Sequence, residues 1–335
     1  MDSKMISSIY SLRELKKEPF RDVVYEYEDY ISGQYGIPII NAKKLSAWDD
    51  QTSILKKVEN KIDLWMPFRK LNPNKPYALA ILTVNKDVLY FQRENCVPIF
   101  CDIWNNNLEF VAKKMRSGTL FFVTSLDVYD KLKGIDSNLN VHYIPLSVSD
   151  KWVSNQTNKN STRMIQVGRK NELLHKWALQ YVQENPNIEY VFTSYNGTLG
   201  NLEYVNTNGQ IIGTADTREE YISLLSSARI SLVSSPGIDT DDETRIGISF
   251  PTPRFYESAA VGCEMIGRYA DNKEFKIQKV DTVCPNISTY DEFKLSADRI
   301  FLNKSMDETQ RQAFIQMHIT STWIEDLVRG IEQAL

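Results

Sequence analysis

From residue 78 onward, the chain alternates short apolar runs with stretches of helical period. The runs "ALAILTV", "VPIFCDIW", "TLFFVTSL" and "VHYIPLSV" predict strands, and "NLEFVAKKMRSG" and "DVYDKLKG" predict helices among them. Strands that alternate with helices pair in parallel and carry the helices on the faces of the sheet. The pattern therefore predicts an N-terminal α/β domain, to which we assign residues 1–150.

The alternation restarts after residues 150–163, a polar segment rich in Ser, Thr and Asn that we predict to be a linker. Strands are predicted at "RMIQVG", "IEYVFTS", "GQIIG", "RISLVSS" and "CEMIG", and helices at "NELLHKWALQYVQENP" and "TREEYISLLSSA". The second of these two helices opens with Thr217 and Glu220 at the spacing of a capping box. A second α/β domain is expected over residues 163–304, so the fold class is α/β with two Rossmann-like, doubly wound domains.

The two ends of the chain are less regular. Residues 305–335 predict one or two C-terminal helices that begin with a capping box of Ser305 and Glu308. These helices either cross back onto the N-terminal domain or pack on their own domain. Among the first 75 residues, "FRDVVYEYEDYI" predicts a helix and "IPII" a strand, and the remainder gives no clear pattern.

Composition narrows the class of protein. A chain of 335 residues with 42% hydrophobic residues suffices for two globular domains, and a net charge of −4 argues against nucleic acid as a partner. Without an apolar run of about 18 residues or the apolar core of a signal peptide, we expect a cytoplasmic protein. The four cysteines, Cys96, Cys101, Cys263 and Cys284, lack the spacing of a metal site and are expected to be buried thiols.

The stretch "SFPTPRFYESAAVGCEMIGRY" predicts a helix whose start faces a ligand. Thr252 suits the N-cap, Pro253 suits the first helical position, and Gly262 suits the end of the helix. The N-terminus of such a helix lies at the carboxyl side of the sheet, where its dipole and N–H groups favour a phosphate. Glu257 is placed to accept hydrogen bonds from ribose hydroxyls, or else is a solvated surface residue.

A second anion-binding candidate is "QVGRKNELLHKW", where a predicted strand ends at Gly168 and Arg169 and Lys170 follow at once. Together with the helix at Thr252, this loop would clamp a diphosphate without a metal. The alternative is a solvated basic turn.

The sequence lacks the motifs of several other classes of enzyme. The stretch "GTLGN" misses the third glycine of a dinucleotide fingerprint, and no P-loop, nucleophile elbow or HExxH motif occurs. His142, His175 and His318 suggest no catalytic role; packing is expected for His142 and a surface position for His175.

The stretch "VPIFCDIWNNN" places Asp102 and Trp104 after a strand, where they are candidates for the acceptor side. Asp and Asn also commonly cap strand ends, which is the alternative. The basic stretch "AKKMRSG" either contacts anionic lipid or forms a solvated helix face.

Three segments, "VHYIPLSVS", "MIQVGR" and "ARISLVSSPGIDTDDETRIGISFPTPRFYESAAVGCEMIGRY", together resemble the retaining nucleotide-sugar glycosyltransferases of GT-B architecture. The resemblance is to the bacterial polysaccharide-type enzymes and their CgeB-like relatives, covers most of residues 141–270, and is specific only in the third segment. It implies two domains that face a cleft. It also departs at Ser249, where many relatives carry a second Glu that contacts the donor sugar; Asp241, Asp242 and Glu243 lie nearby.

The resemblance implies a diphosphate near Arg169 and Lys170, nucleotide hydroxyls at Glu257, and the donor sugar near residues 245–254. The catalytic candidates are Arg169, Glu257 and Asp102. The donor-binding candidates are Gly168, Arg169, Lys170, Gly213, Thr214, Arg245, Thr252, Pro253, Arg254 and Glu257.

The function that these residues and the resemblance imply is transfer of a sugar from a UDP- or GDP-sugar to a glycan or lipid-linked acceptor in cell-surface polysaccharide synthesis. We expect retention of configuration and no metal or other cofactor. We also expect a peripheral contact with the inner face of the cell membrane. The alternatives are a catalytically silent subunit that binds nucleotide sugar, and a sugar-nucleotide epimerase.

Overall fold

The computed structural model describes residues 6–42, 66–72, 74–92, 94–116, 118–194, 203–302 and 307–334. Over these residues the chain forms two compact units. The first unit comprises Met1–Pro145 and Trp323–Leu335, and the second unit comprises Leu146–Thr322.

Six parallel strands form the sheet of the first unit, in the order β2-β1-β3-β4-β5-β6. The strands are β1 (Ile6–Ser11), β2 (Ile39–Asn41), β3 (Tyr77–Leu82), β4 (Cys96–Phe100), β5 (Phe121–Val123) and β6 (Val141–Tyr143). The helices are α1 (Asp22–Tyr35), α2 (Leu108–Met115) and α3 (Leu126–Ile135), with 3-10 turns at Pro19–Arg21, Asn85–Tyr90 and Asn105–Asn107. Every residue of β3 is buried, as its unbroken apolar sequence requires for a strand covered on both faces.

The sheet of the second unit also has six strands, in the order β10-β9-β8-β7-β11-β12. The strands are β7 (Arg163–Gln166), β8 (Glu189–Ser194), β9 (Glu203–Asn206), β10 (Ile211–Thr214), β11 (Ile230–Ser234) and β12 (Glu264–Arg268). Strand β9 runs antiparallel to both of its neighbours, and the other pairs are parallel.

The helices of the second unit cover both faces of this sheet. They are α4 (Glu172–Glu184), α5 (Arg218–Ser226), α6 (Pro253–Ala260), α7 (Lys273–Ile277), α8 (Tyr290–Phe301) and α9 (Glu308–His318), with 3-10 turns at Asp150–Trp152 and Val280–Thr282. The last helix, α10 (Thr320–Ala334), begins in the second unit and continues into the first.

Successive residues of β7 show how the two faces are filled. Met164 packs with α4 and α8, whereas Ile165 packs with α5 and the end of α6. Neighbouring strand residues point to opposite faces, so α5 and α6 share one face of the sheet. Strand order reverses between β7 and β11, and the carboxyl ends of strands at such a point are where α/β sheets bind ligands.

The expected fold class, α/β with two doubly wound sheets, is confirmed. The capping box of Thr217 and Glu220 is present at the start of α5. Helix α9 is capped by Asp307, and Ser305, which we expected in that role, lies outside the described residues. The sequence pattern missed β1 and β9. No helix within the described residues is long and apolar enough to cross a membrane.

The polar segment 150–163 is hydrogen-bonded to the second unit. The backbone N–H of Ser154 donates to the carbonyl of Ala260 (2.8 Å), and that of Asn158 donates to the carbonyl of Gly262 (3.1 Å). The segment that we expected to be a linker therefore packs as part of a unit, and the chain passes between units at Pro145 and Leu146.

Candidate functional site at the carboxyl edge of the second sheet

The loop after β7 turns sharply at Gly168. This residue has φ +68°, a left-handed conformation that favours glycine. Its N–H donates to the hydroxyl of Tyr204 (3.2 Å), and its carbonyl accepts from the hydroxyl of Thr193 (2.8 Å). The turn is therefore held by the two strands on one side of β7.

Helix α6 begins and ends where the sequence predicts. Thr252 is the N-cap with extended backbone, Pro253 is the first helical residue, and the chain leaves the helix through Gly262 at φ +87°. A Cβ atom on Gly262 would lie 2.1 Å from the carbonyl oxygen of Gln156, so only glycine fits there. The expected capping hydrogen bond is absent: among the described residues, the buried Thr252 hydroxyl has no partner.

Arg254 brings the two anion-binding candidates together. Its Nη1 atom donates to the carbonyl oxygens of Val167 (2.9 Å) and Arg169 (3.0 Å), so the start of α6 lies directly against the loop after β7. Within the described part of the chain, Arg254 forms no ion pair with a carboxylate. A guanidinium bound only to carbonyls keeps its full positive charge, and that charge adds to the positive end of the helix dipole.

Two further cations lie in the same loop. Arg169 is exposed, and the Lys170 ammonium lies 5.5 Å from the ring centroid of Phe192. The edge of the sheet therefore carries three basic residues, Arg169 and Lys170 in the loop and Arg254 at the start of α6, a suitable arrangement for an anion of more than one charge.

Glu257 is buried, with 2% of its surface exposed, which rules out the alternative of a solvated surface residue. One carboxylate oxygen pairs with Nη2 of Arg218 (2.5 Å), and the other accepts a hydrogen bond from the hydroxyl of Tyr221 (2.8 Å). Burial, and then the charge of Glu257, raise the pKa of Tyr221 well above its usual value, so Tyr221 remains a donor at neutral pH. The charge of Glu257 is thus balanced by Arg218, not by the loop cations.

The segment between β11 and α6 is folded tightly on itself. A Cβ atom on Gly237 would lie 2.4 Å from the carbonyl oxygen of Ile248. Ser249 is buried, and its hydroxyl bonds to that of Ser235 (2.7 Å). Of the three nearby acidic residues, Asp242 pairs with Arg245 (3.0 Å) and the other two, Asp241 and Glu243, are exposed.

Sequence reasoning missed the residue that ties this segment to the rest of the edge. Asp239, at φ +49°, accepts from Asn171 Nδ2 (2.9 Å) and from Arg268 through both carboxylate oxygens (2.5 Å each). The bonds to Arg268 lower the pKa of Asp239. Asn171 caps α4, and Arg268 ends β12, so the side chain of Asp239 joins its own segment after β11 to the segment after β7 and to the last residue of β12. Nothing in the acidic run around Asp239 distinguished it.

The remaining candidate residues lie in two different parts of the chain. Gly213 and Thr214 end β10 at the same carboxyl edge, and α5 follows them with Arg218 as its first residue. Asp102 lies two residues beyond β4 in the first unit and is half-buried. The four cysteines are buried thiols, as predicted.

The histidines have structural contacts. Nδ1 of His175 bonds to the hydroxyl of Tyr190 (2.9 Å), and Nε2 of His142 to the side chain of Asn140 (3.1 Å); both histidines are half-buried. His175 is therefore less exposed than we expected. The described residues include no group of three or more His, Cys, Asp or Glu side chains that could hold a metal ion.

No protein-family model matches the chain, and no curated protein matches it. Several solved structures are similar in fold. One is the pneumococcal O-GlcNAc transferase GtfA in complex with UDP and GlcNAc: identity 13%, coverage 77% of this chain and 57% of that chain, TM-score 0.43. Another is the complex of accessory secretory proteins 1, 2 and 3 from Streptococcus pneumoniae: identity 10%, coverage 77% and 53%, TM-score 0.47.

A third is a putative UDP-N-acetylglucosamine 2-epimerase from Listeria monocytogenes, with identity 9%, coverage 91% of this chain and 85% of that chain, and a TM-score of 0.44. The present chain spans just over half the length of the first two of these structures.

Proposed function

We propose that the second unit binds a nucleoside-diphosphate sugar and that the protein is a glycosyltransferase. The observation that carries this proposal is the contact of Arg254 with the loop after β7 (2.9 and 3.0 Å). It sets beside the start of α6 a guanidinium that pairs with no carboxylate in the described part of the chain. A dipole end, a fixed guanidinium and two basic loop residues are what a diphosphate requires.

In this proposal the diphosphate lies between the loop after β7 and the start of α6. Arg254, Arg169 and Lys170 supply positive charge, and the buried Thr252 hydroxyl, which lacks a partner among the described residues, donates to a phosphate oxygen. Each carboxylate oxygen of Glu257 accepts one hydrogen bond, from Arg218 or Tyr221, and carries a second lone pair that can accept from a ribose hydroxyl. Gly213 and Thr214 lie on the side of the base, and Arg245 on the side of the sugar.

The chemistry follows from the charges. The bond between the anomeric carbon and the diphosphate oxygen breaks, and its electron pair leaves with the diphosphate. Basic side chains stabilise that charge as it develops, so the proposal requires no metal. The acceptor oxygen bonds to the anomeric carbon from the face that the diphosphate leaves, and the acceptor proton passes to a diphosphate oxygen. Configuration is then retained without a dedicated base.

The acceptor in this proposal is a glycan or glycolipid of the cell surface, bound by the first unit, for which Asp102 and Trp104 are the candidates. An Asp102→Ala variant should raise the Michaelis constant for the acceptor and leave that for the donor unchanged. Equal constants in variant and wild type would remove Asp102 from the proposal.

One observation favours a second function, a catalytically silent subunit that binds nucleotide sugar. Ser249 stands where related transferases place a carboxylate toward the donor sugar, and its hydroxyl is buried against Ser235. A chain with this arrangement can retain the diphosphate site and lack turnover.

Two measurements in sequence test the proposal. Calorimetric titration of UDP, GDP, ADP and CMP should show one preferred nucleotide. Incubation with the matching nucleotide sugars, with release of the nucleoside diphosphate as the readout, then separates the two functions. Binding with release supports a transferase, and binding without release in any acceptor mixture supports the silent subunit. If no nucleotide binds, both fail.

A further inference from the structure

Two buried hydroxyl groups hold the turn after β7. The N–H of Gly168 donates to the hydroxyl of Tyr204 (3.2 Å), and the carbonyl oxygen of Gly168 accepts from the hydroxyl of Thr193 (2.8 Å). The side chains of Tyr204 and Thr193 are both buried. Both backbone polar groups of the glycine therefore bond to side chains of the second unit that are shielded from water.

Tyr204 reaches the turn from a strand that is not a neighbour of β7. Strand β8 lies between β9 and β7, so about 10 Å separate the two outer strands at the usual spacing. Thr193 on β8 is the register partner of Tyr204 and points to the same face of the sheet. That face carries α5 and the end of α6. A long side chain is needed to place a hydroxyl at Gly168 from β9, and tyrosine supplies it.

Arg254 holds the residues on either side of Gly168. Its Nη1 atom donates to the carbonyl oxygens of Val167 (2.9 Å) and Arg169 (3.0 Å). A Cβ atom on Gly168 would lie 3.6 Å from the same Nη1 atom, so the guanidinium packs directly on the turn. Two carbonyls that flank one residue face a single nitrogen only while that residue keeps its turn conformation, here φ +68°. The position of the Arg254 charge therefore depends on the conformation of Gly168.

The hydroxyl of Tyr204 is a neutral acceptor. Burial raises the pKa of Tyr204, against the hydrogen bonds with Gly168 and Thr193 and against the charge of Arg254. The hydroxyl thus keeps its proton at neutral pH while it accepts from the Gly168 N–H. A neutral group neither repels a phosphate nor pairs with a guanidinium, so Tyr204 affects the site through geometry and not through charge.

We propose that Tyr204 and Thr193 are positioning residues for the diphosphate, and that they hold Gly168 in the conformation in which Arg254 bonds to both neighbouring carbonyls. Their role rests on the proposed function, because the ligand that Arg254 meets is the diphosphate of that proposal. Neither hydroxyl contacts the ligand. Loss of either hydroxyl should therefore weaken binding only through Arg254.

Calorimetric titration of UDP, GDP and ADP tests this role on the nucleotide that wild type prefers. Tyr204→Phe and Thr193→Val should each weaken binding about two- to tenfold, the range expected for one lost hydrogen bond. Thr193→Ser keeps the donor and should bind as wild type does. Tyr181→Phe is the matched control, because it removes a buried tyrosine hydroxyl, bonded to Asp298 (2.7 Å), from the other face of the same sheet. Its affinity should equal that of wild type.

Amide hydrogen exchange, measured by NMR without a ligand, tests the bond itself. The Gly168 amide should exchange faster in Tyr204→Phe than in wild type, because that variant removes its acceptor. In Tyr181→Phe the Gly168 amide should exchange at the wild-type rate. Equal rates in wild type and Tyr204→Phe would show that Tyr204 does not hold the turn, and would overturn its positioning role.

A double-mutant cycle separates positioning from a general loss of stability. In the Arg254→Ala background, Tyr204→Phe should not weaken the nucleotide further, since its effect passes through Arg254. The positioning role would be overturned, with the diphosphate site left in place, by the same loss in both backgrounds, by an equal loss in Tyr181→Phe, or by unchanged affinity in Tyr204→Phe or Thr193→Val. If wild type binds none of the three nucleotides, the proposed function fails and the positioning role fails with it.

Discussion

The carboxyl edges of the two sheets have similar positions in their folds and differ in how their arginines are paired. In the first unit, Arg13 and Arg21 each pair with a carboxylate. In the second unit, Arg254 donates to carbonyl oxygens, and within the described residues no carboxylate pairs with it. Both edges lie at the point of strand-order reversal where doubly wound sheets commonly bind ligands, and the pairing of their arginines distinguishes them.

The pairing partners explain the difference. Glu257 and Asp239 are acidic residues of the second edge, but they pair with Arg218 and Arg268, and neither of them pairs with Arg254. An acidic residue near a basic loop thus does not by itself neutralise it. The comparison predicts distinct responses of the two edges to mutation, pH, ligand and salt.

The largest effect is expected from Asp87→Asn in the first unit. Removal of one partner from a buried ion pair costs about 3–5 kcal/mol, because the remaining charge is buried without compensation. Thermal unfolding should show a fall in melting temperature of the first unit. Asp242→Asn, which breaks the more exposed pair with Arg245 in the second unit, should leave the melting temperature nearly unchanged. Equal shifts in the two variants would contradict the distinction between the edges.

The stability of the first unit should depend on pH through Glu28. Burial raises the pKa of Glu28 from 4.5 to about 7, so its contribution to stability is complete below pH 4.5 and is lost as pH rises through about 7. The loss is on the order of 3 kcal/mol. Hydrogen exchange of α1 should be faster at pH 8 than at pH 5 after correction for the intrinsic rate. Glu28→Gln should remove most of this pH dependence, and a variant that keeps it would contradict the assignment.

Arg254→Ala should weaken UDP or the preferred nucleotide about 10- to 100-fold, since hydrogen bonds to charged groups contribute about 1.5–3 kcal/mol. Calorimetric titration measures the change. Arg163→Ala is the matched control, because Arg163 begins β7 at the opposite end of the strand and pairs with Glu189. An equal loss in both variants would indicate a general effect on the sheet and not a contact with phosphate.

The smallest expected effect is that of salt on nucleotide affinity. Between about 50 and 500 mM salt, nucleotide affinity at the second edge should fall several-fold, because exposed cations are screened. A nucleotide affinity that is independent of salt would mean that charge contributes little at the second edge.

Local chemistry made most of the fold predictable. The capping box of α5 and the Thr-Pro start of α6 were read correctly because both depend on residues adjacent in the chain. Strand β1 was missed because Ser7 and Ser8 interrupt its apolar residues, although the strand lies inside its sheet, between β2 and β3. Strand β9 has only four residues and gives too short a pattern.

The candidate site was predictable only in part. Gly168 and Arg254 were identified from two separate segments, but their contact joins residues far apart in the chain. The pairing of Glu257 with Arg218, 39 residues away, had no counterpart in the sequence pattern. The same holds for the bonds of Asp239, since one aspartate in a run of acidic residues gives no indication of a distant partner.

Hydrogen exchange of the full chain with and without saturating UDP shows whether the second edge, and not the first, binds the nucleotide. We expect slower exchange in peptides that cover residues 167–171 and 252–257, and unchanged exchange in those that cover residues 11–13 and 83–87. Protection of the first edge by UDP, or of neither edge, would contradict it.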